Sequence, residues 1–161
     1  MSRVLFAPMV SRALLSAVVA IADEPAKADS EKMQGKWGWS PQKFHMNNPA
    51  PEVRSLIHGR ELDEGELVGK QFTLEVKGDS FTFSDHKKKM RKATAKLDAS
   101  KKPGKVDLVV GKGKPFLGIY KVEGDTLTLC IGDQKKRPSG FAKEFNAKEG
   151  QLLIQYTRDK P

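Results

Sequence analysis

The sequence predicts an all-β domain, an antiparallel up-and-down meander of about eight strands that closes into a small barrel. Apolar and polar residues alternate along most segments after residue 53, as in residues 72–76 (FTLEV). Short turns containing glycine separate these segments, and no segment after residue 32 has a clear 3.6-residue apolar period. A sheet of that many strands protects its edges by closing on itself, which favours the barrel.

A repeated motif marks the turns of this meander. Residues 76–83 read VKGDSFTF and residues 122–129 read VEGDTLTL, with Gly-Asp between two alternating segments in each case. Glycine readily adopts the positive φ that tight hairpin turns require. Gly150 precedes a third, looser example. We interpret all three as turns of one meander; a duplicated module and a Gly-Asp ligand site are the alternatives.

The remaining segments complete the predicted order of elements. Alternation predicts further strands over residues 71–77, 80–84, 92–97 and 105–110. Residues 54–58 are predicted as another strand. Residues 38–52 contain three prolines and no apolar period, so they are predicted to form an irregular loop.

The N-terminal segment differs in kind from the rest. Residues 1–12 carry two arginines and no acid, and residues 13–22 (ALLSAVVAIA) form a short apolar run that ends in a small-x-small pattern. These features predict a signal peptide over residues 1–22, a polar tether over 23–32 and the barrel domain over 33–161. The expected location is extracytoplasmic, either periplasmic or secreted. An uncleaved N-terminal anchor is the alternative.

The net charge of the chain favours anionic partners. The formal net charge is +9 at pH 7. A basic exported protein attracts anionic surfaces such as cell-wall polymers, although a lysine-rich solvated surface gives the same charge.

Cys130 is the only cysteine, so no disulfide forms within the chain. It lies in an apolar run (LTLCIG), which predicts a small buried packing residue rather than a nucleophile.

No arrangement of titratable residues predicts an enzyme. The three histidines, His45, His58 and His86, lack the spacing of metal ligands, and we predict no metal site, no cofactor and no catalytic residue. The densest acidic cluster lacks the alternating ligands and the glycine of a calcium loop, and we interpret it as a solvated turn. It consists of Glu61, Asp63, Glu64 and Glu66.

Several segments, taken in order, resemble a known domain family. They are MQGKW at 33–37, HGREL at 58–62, KGD at 77–79, LD, KKP and VDL within 97–108, and GIY and GDTLTLC within 118–130. Their order and spacing are similar to those of a lipocalin-like domain family of uncharacterised exported proteins found mainly in planctomycete bacteria. The resemblance implies a lipocalin-like barrel and an exported location, but no substrate. Residues 38–52 depart from the family, which runs from the tryptophan directly into a strand.

The favoured function is ligand binding inside the barrel. An eight-stranded barrel has an interior that side chains just fill or that holds one small ligand. We predict a small apolar or amphipathic ligand there, with candidate contacts at Phe72, Phe81, Phe83, Phe116 and Tyr120. Nucleic acid is not a predicted partner, because stacking aromatics are lacking beside the basic runs. No membrane span is predicted after signal cleavage.

The alternative function is a cell-envelope interaction module that binds anionic polymer or a partner protein through a rim of basic loops. Ligand binding predicts a cavity and little effect of salt, whereas a basic rim predicts binding that weakens as salt rises. The candidate rim residues are Lys87, Lys88, Lys89, Arg91, Lys135, Lys136 and Arg137.

Overall fold

The described part of the chain contains two helices and eight strands. The computed structural model describes residues 24–47, 49, 51–58, 72–85, 90–140 and 147–159, with backbone alone at 24–28, 40–44 and 57–58. The predicted signal peptide, residues 1–22, lies outside these ranges. The elements in chain order are α1 (Glu24–Met33), β1 (Gly35–Asn47), α2 (Pro51–His58), β2 (Thr73–Lys77), β3 (Ser80–Ser84), β4 (Met90–Asp98), β5 (Gly104–Val109), β6 (Phe116–Glu123), β7 (Thr126–Ile131) and β8 (Gln151–Arg158).

The eight strands form one closed barrel, which confirms the predicted fold class. Each strand pairs antiparallel with the next, and β8 closes the barrel by pairing with β1. Gly78 and Gly124 have φ values of 59° and 56° in the turns that join β2 to β3 and β6 to β7. The repeated Gly-Asp motifs are therefore matching hairpin turns, and Gly150, with φ of 76°, precedes β8.

The two helices lie at opposite ends of the barrel. Helix α1 leads into β1 at the end where turns join β2 to β3, β4 to β5 and β6 to β7, and it contacts β4 and β6. We call this the α1 end. Helix α2 follows β1 at the other end and contacts β3 and β4. We call that the α2 end.

Inward side chains of the strands form one apolar core inside the barrel. Met33 of α1 and Val53 and Leu56 of α2 belong to the same buried cluster, so both helices contribute to it. Burial of this apolar surface is the main stabilising contribution to a fold of this kind. The aromatic members of the core are Trp37, Trp39, Phe72, Phe81, Phe83, Phe116, Tyr120 and Tyr156.

The prediction of an irregular loop over residues 38–52 is wrong, because β1 continues to Asn47. Along β1 the pairing with β8 passes from Trp39, opposite Tyr156, to Phe44, opposite Ile154. The residues between them form a bulge that has no partner in this ladder. Proline is compatible with such a position because it requires no backbone N–H, and Pro41 lies there.

The prediction of a strand over residues 54–58 is also wrong, because these residues belong to α2. Pro51 is the first helical residue, where a missing N–H costs nothing, and Glu52 places an acid in the first turn. Val53 and Leu56 are three residues apart and therefore lie on one helix face, where both are buried. A five-residue segment is too short for alternation to distinguish a strand from a helix.

Residues 24–33, assigned mostly to a polar tether, form helix α1. The segment is rich in residues that favour helices, including alanine, lysine and glutamate. Met33 is fully buried, and its carbonyl accepts a hydrogen bond of 2.8 Å from Trp37 Nε1. Packing against the barrel therefore holds a segment that its composition alone leaves ambiguous.

Candidate functional site

Arg158 closes the α1 end of the barrel. Its Nη1 donates to the carbonyl of Gln34 at 2.7 Å, and its Nη2 donates to the carbonyl of Lys32 in the last turn of α1. The guanidinium also stacks on the Trp37 ring, 4.1 Å from the ring centre, and its Nε lies 3.5 Å from Asp125 Oδ1. Arg158 thus binds carbonyl groups that a helix C-terminus leaves without partners inside the helix.

Two further residues fasten α1 to the barrel. The side chain of Gln34 accepts from the Gly78 N–H at 2.8 Å and donates to the Gly78 carbonyl at 3.2 Å. Tyr120 Oη donates to Asp29 Oδ2 at 3.2 Å. Burial, reinforced by the Asp29 carboxylate, raises the pKa of Tyr120, so the phenol stays protonated as a donor. Polar contacts of Arg158, Gln34 and Tyr120 therefore fasten α1 to this end of the barrel.

Helix α2 lies at the opposite end and contributes two of its described side chains to the core. Val53 and Leu56 are fully buried, whereas the other described side chains of α2 are exposed or half-buried. A cavity of about 200 Å³ lies between α2 and the start of β6. It is lined by Glu52, Val53, Phe116, Asp133, Gln134 and Lys135. Glu52 and Lys135 are exposed, so the cavity is open to solvent on their side. On its inner side the cavity reaches Phe116, which belongs to the core of the barrel.

All five predicted interior residues are buried and belong to the core inside the barrel. Phe81 and Tyr120 lie toward the α1 end, as their positions in β3 and β6 require. The ring of Phe72 lies 4.5 Å from that of Trp39, centre to centre. The other three of the five residues lie toward the α2 end. They are Phe72, Phe83 and Phe116.

The predicted basic residues occupy different environments. Lys87, Lys88 and Lys89 lie outside the described residues. Lys135 and Lys136 are exposed near the α2 end, and their backbone N–H groups donate to Asp133 Oδ1 at 2.7 and 2.6 Å. These backbone hydrogen bonds hold the pKa of Asp133 below its ordinary value. The carboxylate therefore shapes the turn that carries both lysines.

Arg137 clamps the segment between β7 and β8 onto the barrel wall. Its Nη1 donates to the carbonyls of Val106 at 3.2 Å and Gly118 at 2.6 Å. Its Nη2 pairs with the Asp107 carboxylate. The guanidinium is therefore engaged within the protein.

Arg91 lies on β4 opposite Phe83, and this register points it into the barrel.

Cys130 belongs to a second apolar cluster on the outside of the barrel. It lies between the inward-facing Leu129 and Ile131, so its own side chain points outward. There it packs with residues of β6, β8 and the segment before β8, namely Ile119, Leu153 and Ala147. Burial raises the pKa of the thiol from its ordinary value of 9.0 to about 12. The prediction of a buried packing residue is confirmed.

Arg137→Met is expected to accelerate the labelling of Cys130 by Ellman's reagent at pH 8 about tenfold. Losing charge-assisted hydrogen bonds, each worth about 1.5–3 kcal/mol, should allow the segment over β5 and β6 to open more often. The neighbouring variant Lys136→Met removes an exposed cation and should leave the labelling rate unchanged. Equal rates in the two variants would show that Arg137 does not hold this segment closed.

Among the remaining titratable groups, His45 has a structural role. His45 Nδ1 accepts a hydrogen bond of 3.1 Å from the Ala147 N–H, which ties β1 to the segment before β8. Within the described ranges, no three His, Cys, Asp or Glu side chains group so as to hold a metal ion. His58 is described as backbone alone, and His86 and the acidic cluster at 61–66 lie outside the described residues. None of the helices in the described part is long and apolar enough to cross a membrane.

Comparison of the chain with protein-family models, curated proteins and solved structures gives no match. The barrel is therefore established by the strand pairing of this chain. The resemblance to the lipocalin-like family stays a prediction.

Sequence patterns missed the element that covers the α2 end. Two signals for it are present in the chain: Pro51 followed by Glu52, and the three-residue spacing of Val53 and Leu56. The orientation of Arg91 was also missed, although its two-residue spacing from Ala93 and Ala95 places all three on one face of β4.

Proposed function

We propose that this protein is an exported, non-enzymatic, lipocalin-like barrel that binds a small apolar or amphipathic molecule at its α2 end. Export rests on the signal-like features of residues 1–22. Binding at one end rests on the architecture of the barrel, whose two ends are closed by different means.

The difference between the two ends is the observation that supports ligand binding most directly. The α1 end is held by Arg158, Gln34 and the hydrogen bond from Tyr120 to Asp29. At the α2 end, Val53 and Leu56 are the buried members among the described side chains of an eight-residue helix. Elements with few buried contacts open locally at low free energy. A ligand would therefore reach the interior by displacing α2.

The surface beneath α2 suits an apolar ligand. Phe72, Phe83 and Phe116 present aromatic rings there, and the cavity of about 200 Å³ already reaches Phe116. Apolar pockets with a few polar groups at the rim are the common form of small-molecule sites. Displacing α2 would exchange the contacts of Val53 and Leu56 for contacts with the ligand.

The alternative, an envelope interaction module, has weaker geometric support. Arg137 is occupied by Asp107 and two carbonyls, and the exposed Lys101 and Lys102 lie at the α1 end, away from Lys135. A larger hollow of about 530 Å³ lies beside the segment between β7 and β8, but both charge signs line it. Its charged lining residues are Asp133, Lys136, Arg137, Lys148 and Glu149.

The proposal is tested by expressing the full chain in an exporting host and comparing native with denaturing mass spectrometry. We expect a native mass that exceeds the denatured mass by a bound small molecule, and a denatured mass that lacks residues 1–22. The purified protein is then stripped and titrated with 1-dodecanol while tryptophan fluorescence is followed, because Trp39 packs against Phe72.

A matched pair of variants locates the binding site. Phe81 and Phe83 are both fully buried on β3, but they lie toward opposite ends. Phe83→Leu should weaken dodecanol binding several-fold, whereas Phe81→Leu, with a similar loss of packing, should leave the affinity unchanged. A native mass equal to that of the bare chain, together with no response to dodecanol, would refute ligand binding. If Phe81→Leu weakened dodecanol binding more than Phe83→Leu, the placement of the site at the α2 end would be refuted.

A further inference from the structure

Arg91 is a charged residue that points into the α2 end of the barrel. Its partner across the β3–β4 ladder is Phe83, and directly opposed residues of an antiparallel pair place their side chains on the same face. Phe83 is buried in the core, so Arg91 shares the inward face, as do Ala93 and Ala95 farther along β4. Arg91 itself is half-buried.

The strands around this end contribute apolar side chains to the core. Within the described part of the chain, each of the other seven strands or its adjoining residue contributes one apolar side chain near this end of the barrel. They are Met46, Phe72, Phe83, Val110, Phe116, Ile131 and Leu152. Arg91 is the charged member of this set, and the charged Glu52, Asp133 and Lys135 line the cavity at the same end.

Arg91 has no polar partner among the described residues. The contrast with Arg158, the inward-facing arginine of the α1 end, is direct. Arg158 binds two carbonyls, a carboxylate and an aromatic face. A half-buried guanidinium loses part of its hydration, and without a counter-charge no other contact compensates for that loss. A bound oxyanion would compensate for it by accepting hydrogen bonds from the N–H groups of the guanidinium.

The inward face of β4 next to Arg91 carries small side chains. The next two inward residues of β4 are alanines, Ala93 and Ala95, which project little into the barrel. On the two neighbouring strands, Phe83 of β3 pairs with Arg91 and Leu108 of β5 pairs with Ala95, and Phe116 lies one strand farther, opposite Leu108. A chain that enters under α2 would therefore meet a cation at the rim and apolar side chains below it.

We propose that Arg91 binds the oxyanionic head group of a single-chain amphiphile, whose apolar tail lies along β4 beneath α2. This inference rests on the proposed function and adds the chemical class of the ligand. The planar guanidinium pairs with a carboxylate or a phosphate through two parallel hydrogen bonds, which a neutral or cationic head group cannot accept in the same way.

The test compares probes of one chain length with different head groups. Tryptophan fluorescence and calorimetric titrations would use dodecanoate, dodecyl phosphate and 1-dodecanol, each below its aggregation concentration. We expect at least one oxyanion to bind about tenfold or more tightly than the alcohol. The ratio of the two oxyanion affinities then identifies the head group.

Two variants assign that preference to a residue. Arg91→Met keeps the length of the side chain and should lower the affinity for the oxyanion to that of dodecanol, while dodecanol binding stays unchanged. The neighbouring Lys92→Met removes an exposed cation that points outward, and should retain the full preference. Unchanged dodecanol affinity also shows that the Arg91→Met protein is folded.

Specific results would overturn the assignment. Equal affinities of the wild-type protein for dodecanol and both oxyanions would refute the head-group inference and leave the proposed apolar site standing. A preference that survives Arg91→Met, or is lost in Lys92→Met, would refute the role of Arg91. Absence of binding by all three probes would refute both the inference and the proposed function.

Discussion

Gly104→Ala is expected to destabilise the barrel by about 3 kcal/mol, because the added methyl group would overlap a buried ring. A Cβ at residue 104 would lie 2.5 Å from Cε1 and 2.8 Å from Oη of Tyr120. Tyr120 is only 1% exposed, and its Oη donates to Asp29 of α1. A shift of the ring would therefore also loosen the closure of the α1 end. The loss would be measured as a lower midpoint of urea unfolding followed by circular dichroism.

The matched control is Gly140→Ala, at a position where a Cβ would meet no atom within 4 Å. Both substitutions remove similar backbone freedom from the unfolded chain, so their difference isolates the clash. Gly140→Ala should change the free energy of unfolding by less than about 0.5 kcal/mol. Combining Gly104→Ala with Tyr120→Leu should cost clearly less than the sum of the two single losses. Additive losses would show that residue 104 and the Tyr120 ring do not compete for space.

Arg158→Met should lower the free energy of unfolding by about 2 to 3 kcal/mol. The substitution leaves the carbonyls of Lys32 and Gln34 without their donor and removes the stacking on Trp37. The side chain is 28% exposed, so water recovers part of the loss. Urea unfolding would give the free energy, and near-ultraviolet circular dichroism would report the environment of Trp37.

Two comparison variants separate the geometry of Arg158 from its charge. Lys105→Met breaks an exposed ion pair with Asp98 and should cost less than about 0.5 kcal/mol. Arg158→Lys keeps the charge but not the planar fork, so it should recover less than half of the loss seen in Arg158→Met. If Arg158→Met and Lys105→Met are equally mild, the arginine does not hold the α1 end.

The strands with tight turns were predictable because their signals are local. In β2, β3, β6 and β7, alternation identifies the inward face, and Gly78 and Gly124 mark the reversals. Local composition and long-range pairing agree in these hairpins, so the sequence reports the fold directly. The closure of the sheet followed from the same signals, since a meander of that many strands leaves two edges to protect.

The first strand and α2 were not predictable in the same way, because distant partners determine them. Pro41 disfavours a regular strand, yet β1 passes it with a bulge because β8 pairs on both sides. The segment with Val53 and Leu56 becomes a helix because that places both side chains on the opening of the barrel. In each case tertiary packing overrides the local preference.

The candidate site was predictable in part. The five aromatic residues were placed inside the barrel from their alternation, and they are buried there. Alternation gives no information about position along the barrel axis, so it did not show that Phe81 and Phe83 lie toward opposite ends. For Arg91, its charge favoured the surface, although its alternation with Ala93 and Ala95 along β4 indicates the inward face, which the pairing with Phe83 confirms.

The seam between β1 and β8 has a consequence for the order of folding. Arg158 and Gln34, which meet at that seam, are 124 residues apart in the sequence. Contacts of such long range form slowly, because a large loop must close before they stabilise anything. During synthesis the nascent chain is therefore an open sheet with unpaired edges on β1 and β7, and it becomes a barrel only after β8 has emerged. A chain truncated before residue 151 would keep both edges, and with them a template for aggregation.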